Sequence, residues 1–172
     1  IHHLAPNGKI GLVLANGALS TQTSGEGEIR KNIIEADLIE GIIALPPQLF
    51  YSVTIPVTLW FISKNKQQKG RTVFIDARKM GYMVDRKHRD FTDADIKKIA
   101  DTFTAFQNGT LENIKGFCAV ATTAEIAVQD YILTPGRYVG IEEQEDDGEP
   151  FEDKMKRLTG ELADMFKQSD TL

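Results

Sequence analysis

The chain has 172 residues, 41% of them apolar and 26% charged, which is the balance of one folded domain rather than a disordered chain. Twenty basic groups against 25 acidic ones leave a net charge of -5, and this speaks against a small, uniformly basic nucleic-acid binder. A single cysteine, Cys118, excludes an internal disulfide and a cysteine-built zinc site, and no apolar run reaches the ~18 residues needed to span a bilayer.

Ile1-His2-His3-Leu4-Ala5-Pro6 reads as the tail of a helix already under way, and no Met opens the chain, so a piece of something longer is expected. No basic segment followed by an apolar stretch marks a signal peptide, and a cytoplasmic location is expected. Lys9 to Ala15 (KIGLVLA), between Asn7-Gly8 and Asn16-Gly17, reads as a strand buried on both faces. A helix follows over Glu28 to Ala36, where Ile29, Ile33 and Ile34 recur at helical spacing and Glu26 and Glu28 favour its first turn. Leu38 to Leu45 is a second strand, closed by Pro46-Pro47. Strand, helix, strand over this length is a right-handed crossover with parallel strands.

Thr54 to Ser63 is a third strand, too close behind the second for a crossover and therefore antiparallel to it. Val73 to Ala77 is a fourth, reached through the polar turn Asn65 to Gly70. Thr92 with Asp95 opens a helix whose buried stripe is Ile96, Ile99, Phe103 and Phe106. Phe117 to Ala121 is a short strand, Thr122 with Glu125 caps one or two helical turns, and Tyr131 to Val139 is irregular around Pro135-Gly136. Glu142 to Pro150 is an acidic linker. Beyond it, Phe151, Met155, Leu158, Leu162 and Met165 recur at four and three residues, a heptad-like seam expected to be buried by docking onto another part of the protein or a partner.

Charge is segregated along the chain. Residues 64–90 carry nine basic and three acidic groups, whereas residues 142–172 carry four basic and eleven acidic ones. The basic block is either a solvated loop or a phosphate-facing surface. On the second reading Lys64, Lys66, Lys69, Arg71, Arg86, Lys87 and Arg89 are the candidate DNA-backbone contacts.

Catalytic patterns are mostly absent. Gly25-Glu26-Gly27-Glu28-Ile29-Arg30 begins like a dinucleotide fingerprint but carries Arg30 in place of the third glycine, so it is read as a helix start. No phosphate-binding loop is present, and His2, His3 and His88 lack metal-ligand spacing. Cys118, in an apolar run, is read as a core residue rather than a nucleophile.

Three stretches carry a family resemblance. They are Gly8 to Gly17 with Gly25 to Arg30; Leu49-Phe50-Tyr51 with Thr54-Ile55-Pro56 and Leu59 to Lys64; and Tyr131 to Val139. In this order and spacing they resemble the C-terminal half of the modification subunit of a type I restriction-modification system, a family that methylates adenine N6 in DNA with S-adenosylmethionine. Ala15 departs from the proline common before the Asn-Gly turn. The resemblance implies an α/β fold, the back half of a Rossmann-like methyltransferase sheet: strand, helix and strand with an antiparallel hairpin, and a C-terminal helical extension. It divides the chain into a partial methyltransferase domain over residues 1–80, a helix and irregular extension over 81–141, and the linker and docking helix over 142–172.

The family's cofactor loop and its Asn-Pro-Pro-aromatic catalytic loop do not occur in this sequence. No catalytic residue and no metal ligand is therefore assigned, and S-adenosylmethionine is expected in the intact parent but not on this chain alone. The resemblance implies DNA and the specificity and restriction subunits as partners, with self-association of the fragment expected. It also makes Phe50 and Tyr51 candidates for a wall of the target-base pocket, because an enzyme acting on the adenine amino group must extrude the base. An adenine methyltransferase outside the type I systems is a close alternative. From a different class, a non-catalytic DNA- or protein-binding α/β domain also accounts for the missing loops.

Overall fold

The computed structural model describes residues 1, 3–51, 54–141 and 151–169. The first strand, β1 (Lys9–Ala15), is followed by helix α1 (Glu26–Glu35) and strand β2 (Ile39–Ala44). Strands β3 (Val57–Ser63) and β4 (Arg71–Asp76) come next, then a small hairpin of β5 (Tyr82–Met83) and β6 (Arg89–Asp90). Helix α2 (Asp93–Gln107), strand β7 (Cys118–Thr122), and the short helices α3 (Thr123–Val128) and α4 (Gly136–Val139) complete the first compact unit, Ile1–Glu142. Helix α5 (Phe151–Ser169) belongs to a second unit, Glu143–Leu172. The expected acidic linker, residues 142–150, lies outside the described residues.

The sheet runs β1-β3-β2-β4-β7. β3 is antiparallel to both of its neighbours, pairing Lys9↔Ser63 through Ala15↔Val57 on one side and Gly41↔Phe61 through Ala44↔Thr58 on the other. β1 and β2 therefore run parallel, the directions the loop lengths require, with the antiparallel β3 inserted between them. β4 does not pair with β3. It crosses over to lie parallel to β2, and β7 adds a fifth, antiparallel strand outside it.

Alternation along the strands divides the core into two layers. Ile42, Trp60, Ile62 and Phe74 face α1, α3 and the 131–139 segment, whereas Ile43, Val73, Ile75 and Cys118 face α2. Gly41 is needed for the second layer, since a Cβ there would come within 2.8 Å of both Phe103 and Val73. Both capping boxes form. Thr92 Oγ1 accepts from the Asp95 N–H at 3.1 Å and Thr122 Oγ1 from the Glu125 N–H at 3.3 Å, with each carboxylate reaching back to the N-cap amide.

Two burial expectations are corrected. β1 is not buried on both faces: it is the outermost strand, and Leu12 and Val13 are exposed. The stripe of α2 is complete only at Phe106, because the helix lies across β2 and β4; Ile96 is exposed at the rim of an apolar groove of about 380 Å³ lined with Leu59, Phe61 and Phe103. Phe151, Met155, Leu158, Leu162 and Met165 lie along α5 with their side chains exposed in this chain alone, the state such a seam has before a partner covers it.

One buried residue has no counterpart in the apolar periodicity. Arg30 of α1 is 3% exposed, and its guanidinium donates to three carbonyl oxygens: Thr21 at 2.6 Å, Tyr131 at 3.2 Å and Ala18 at 3.3 Å. It ties the 131–139 segment to the turn after β1, which explains why two stretches a hundred residues apart act as one structural motif.

Candidate nucleic-acid interface

In open α/β sheets, ligands gather beyond the carboxyl ends of the parallel strands. Here that end collects Asn16-Gly17 after β1, residues 45–51 after β2, and Ala77-Arg78 after β4. Asn16 donates its N–H to Pro56 O at 3.3 Å, so the turn after β1 and the β2–β3 connection touch. Asp76, at the last position of β4, is held bidentately by Arg78, with Nε to Oδ1 at 2.8 Å and Nη2 to Oδ2 at 2.6 Å.

Within the β2–β3 connection, Phe50 is 48% and Tyr51 80% exposed, so neither ring fills the core beneath the connection. Leu45 N–H to Val57 O pins the start of this loop, and Pro46-Pro47 stiffen it. Gln48 then takes the left-handed φ of 67°, a costly conformation for a side-chain-bearing residue, and its carbonyl accepts the Arg89 N–H at 2.8 Å. That bond joins the loop to the β5–β6 hairpin.

The hairpin is built to stand where it does. Gly81 has a φ of +79°, and a Cβ there would meet Asp90 O at 2.6 Å, so its base admits only glycine. At the tip, Asp85 Oδ1 accepts the N–H groups of Lys87 and His88 at 2.7 and 2.8 Å, and these bonds, that from Lys87 first, hold its carboxylate below the usual range. The His88 ring lies flat on Tyr51, with centroids 4.2 Å apart and planes 12° off parallel. Arg86 and Lys87 are exposed beside it.

The basic block does not form one surface. β4 separates it into two groups, and a strand of this length spans roughly 20 Å. Lys64, Lys66, Lys69 and Arg71 lie at the amino end of the parallel strands, away from Phe50 and Tyr51; of the seven candidates, Arg86, Lys87 and Arg89 share the aromatic end. One of the seven, Lys66, is corrected outright. Lys66 has a side chain only 1% exposed and is bonded to Asp37 at 2.5 Å, so it cannot reach a phosphate. Burial lowers its pKa, and the bond to Asp37 only partly offsets that. Arg89 turns inward and donates to Met80 O at 3.1 Å and Gly81 O at 3.3 Å. Lys64 is exposed and donates to Leu4 O at 2.6 Å.

Among the described residues no cluster of His, Cys, Asp and Glu could hold a metal ion, and no helix is long and apolar enough to cross a membrane. Cys118 is buried, and burial pushes its thiol pKa up, the opposite of an activated nucleophile. The sequence singled out neither His88 nor Gln48. Nothing in the local pattern around either points across the roughly 40 residues that separate hairpin from loop.

Residues 1–147 match the family described as N-6 DNA Methylase. Over its full length the chain is 56% identical to the type I restriction enzyme HindI methylase subunit of Haemophilus influenzae and 51% identical to the MjaIX methylase subunit of Methanocaldococcus jannaschii. It spans 39% and 31%, respectively, of the length of those two relatives. Among solved structures, the type I restriction-modification methyltransferase subunit of Streptococcus thermophilus superposes with a TM-score of 0.71 at 34% identity. That match covers 81% of this chain and 28% of the solved one.

Proposed function

The chain belongs to the N-6 DNA methylase family, and from that membership we propose that it supplies the target-base side of an adenine-N6 methyltransferase in a type I restriction-modification system. The observation that carries this reading is the placing of Phe50 and Tyr51: two exposed rings in a stiffened loop, at the carboxyl end of the parallel strands. Extruding an adenine from a duplex costs a few kcal/mol, and stacking on an aromatic face returns roughly 1–3 kcal/mol per base. Arg86 and Lys87, exposed on the turn that leads into His88, are the cations offered to the backbone flanking an extruded base.

The reading requires S-adenosylmethionine as methyl donor for the whole enzyme. The residues here do not fit it. A nucleoside cofactor needs a glycine-rich strand end for close backbone approach and a free carboxylate for its ribose hydroxyls. The described strand ends instead carry Asn16-Gly17-Ala18, Pro46-Pro47 and Ala77-Arg78, and Asp76 is engaged by Arg78. No methyl-transfer step is assigned to this chain. Its partners on this reading are DNA and the specificity and restriction subunits, in the cytoplasm, and the exposed seam of α5 is the surface offered to a subunit.

Kinetics of the assembled methyltransferase carrying this sequence test the proposal. Replacing Tyr51 or Phe50 with Ala should raise KM for DNA or lower kcat about tenfold for the ring that meets the base, with cofactor affinity unchanged. Unaltered methylation by both single variants would sink it.

A further inference from the structure

Tyr51 is placed by a residue that no catalytic pattern marks. Its ring belongs to the connection between β2 and β3, and 80% of its surface is exposed. Such a side chain ordinarily samples several rotamers, and ordering it against a ligand costs free energy. Here one face is already occupied, because His88 covers it at 4.2 Å and 12°. The opposite face is open.

His88 is itself held from behind. Its N–H is bonded to Asp85 Oδ1, and its carbonyl accepts the N–H groups of Val84 at 2.9 Å and Asp85 at 3.3 Å. The hairpin that carries it is tied to the Tyr51 loop by the Arg89 N–H to Gln48 O bond and braced from inside by the Arg89 guanidinium. The ring's own Nδ1 is buried without a hydrogen-bond partner. The imidazole therefore sits against Tyr51 by flat stacking and by the backbone of its turn, not by a polar contact through Nδ1.

We propose that His88 is a positioning residue: it presents the open face of Tyr51 to an extrahelical nucleobase, and the β5–β6 hairpin forms the outer wall of the DNA cleft. This rests on the reading that Tyr51 meets the target base. An imidazole stacked beneath Tyr51 would make a sandwich of imidazole, phenol and base, with the ordering cost met before DNA arrives. The charge of the tip suits the ligand, since the exposed Arg86 and Lys87 immediately precede His88 and the carboxylate of Asp85 is turned to backbone N–H groups.

The test is a set of variants in the assembled methyltransferase, read by steady-state methylation of a short duplex and by thermal melting. His88→Ala should raise KM for DNA about three- to tenfold, with KM for the cofactor unchanged. His88→Phe keeps a flat ring and should restore KM to within about twofold of the parent, whereas His88→Leu, similar in size but not planar, should not. On a Tyr51→Ala background, His88→Ala should add nothing. If Tyr51→Ala impairs DNA use and His88→Ala does not, the positioning role fails and the base-wall reading stands. If neither variant changes methylation, Tyr51 does not meet the base and the positioning role fails with it, while Phe50→Ala decides the base-wall reading. Equal losses for His88→Phe and His88→Leu, or additive losses on the Tyr51→Ala background, would also overturn the role. Should His88→Ala melt early, the comparison of Phe with Leu decides the question alone.

Discussion

Tyr138 shows how one side chain couples the last motif of the chain to its core. Its ring stacks on the fully buried Phe74 with centroids 3.8 Å apart, and its hydroxyl donates to Ile132 O at 2.5 Å. Burial pushes the phenol up to about 12, above the ordinary value near 10. The native state therefore holds this proton more tightly than the unfolded chain does. The stabilisation is complete below pH 10 and is lost as pH rises from 10 to about 12. Tyr138→Phe should cost about 1 kcal/mol at neutral pH, from the lost hydrogen bond, and should flatten the alkaline decline of stability. Urea unfolding of both proteins across pH 8–12 measures this, and parallel alkaline profiles would contradict it. At the same scale, counting charges placed Lys66 among surface cations because composition carries no depth. Arg30 was in principle legible: it shares a helical face with Ile33 and Ile34, and an arginine on an apolar stripe needs carbonyl partners.

The elements expose a different limit. The directions of β1, β2 and β3 followed from connection lengths alone, since a helix-bearing link demands parallel strands and the shorter link permits an antiparallel neighbour; the insertion of β3 between the other two did not. The capping boxes at Thr92 and Thr122 were equally local and equally legible. The pairing of β4 with β2 was not, because the turn at residues 64–70 would serve a hairpin to β3 equally well. The apolar run of β1 could not reveal whether its cover comes from this chain. With Leu12 39% and Val13 48% exposed and, among the described residues, no strand but β3 paired with it, β1 presents an edge of backbone N–H and C=O groups, an invitation to strand pairing. The isolated chain should accordingly self-associate, and Val13→Lys should shift it towards monomer without unfolding it. Sedimentation velocity over a hundredfold concentration range reads both; a monomeric parent at the highest concentration would refute the edge argument.

For the molecule as a whole, α5 is the part least explained by its own fold. Met155, Leu158, Leu162, Met165 and Phe166 are each about half exposed or more, a stripe an isolated helix has no reason to keep. If it is a docking seam, Leu158→Ser with Leu162→Ser should weaken assembly with the specificity subunit at least about tenfold, with the melting of the sheet domain unchanged. Native mass spectrometry of mixed subunits reports both species, and unchanged assembly would remove α5 from the interface. The aromatic end of the sheet was visible in the sequence as two rings after a Pro-Pro stop. Its second wall was not, because the His88 hairpin reaches Tyr51 only through the fold.

The central claim is that the open face of this loop meets the target base, and photochemical cross-linking tests it most directly. A duplex carrying 5-iodouracil in place of the target adenine would be bound by the assembled methyltransferase, irradiated, digested and mapped by mass spectrometry. The account predicts attachment at Tyr51 or Phe50, with the product lost from the corresponding Ala variant. Efficient attachment confined to peptides outside residues 48–51 would contradict it.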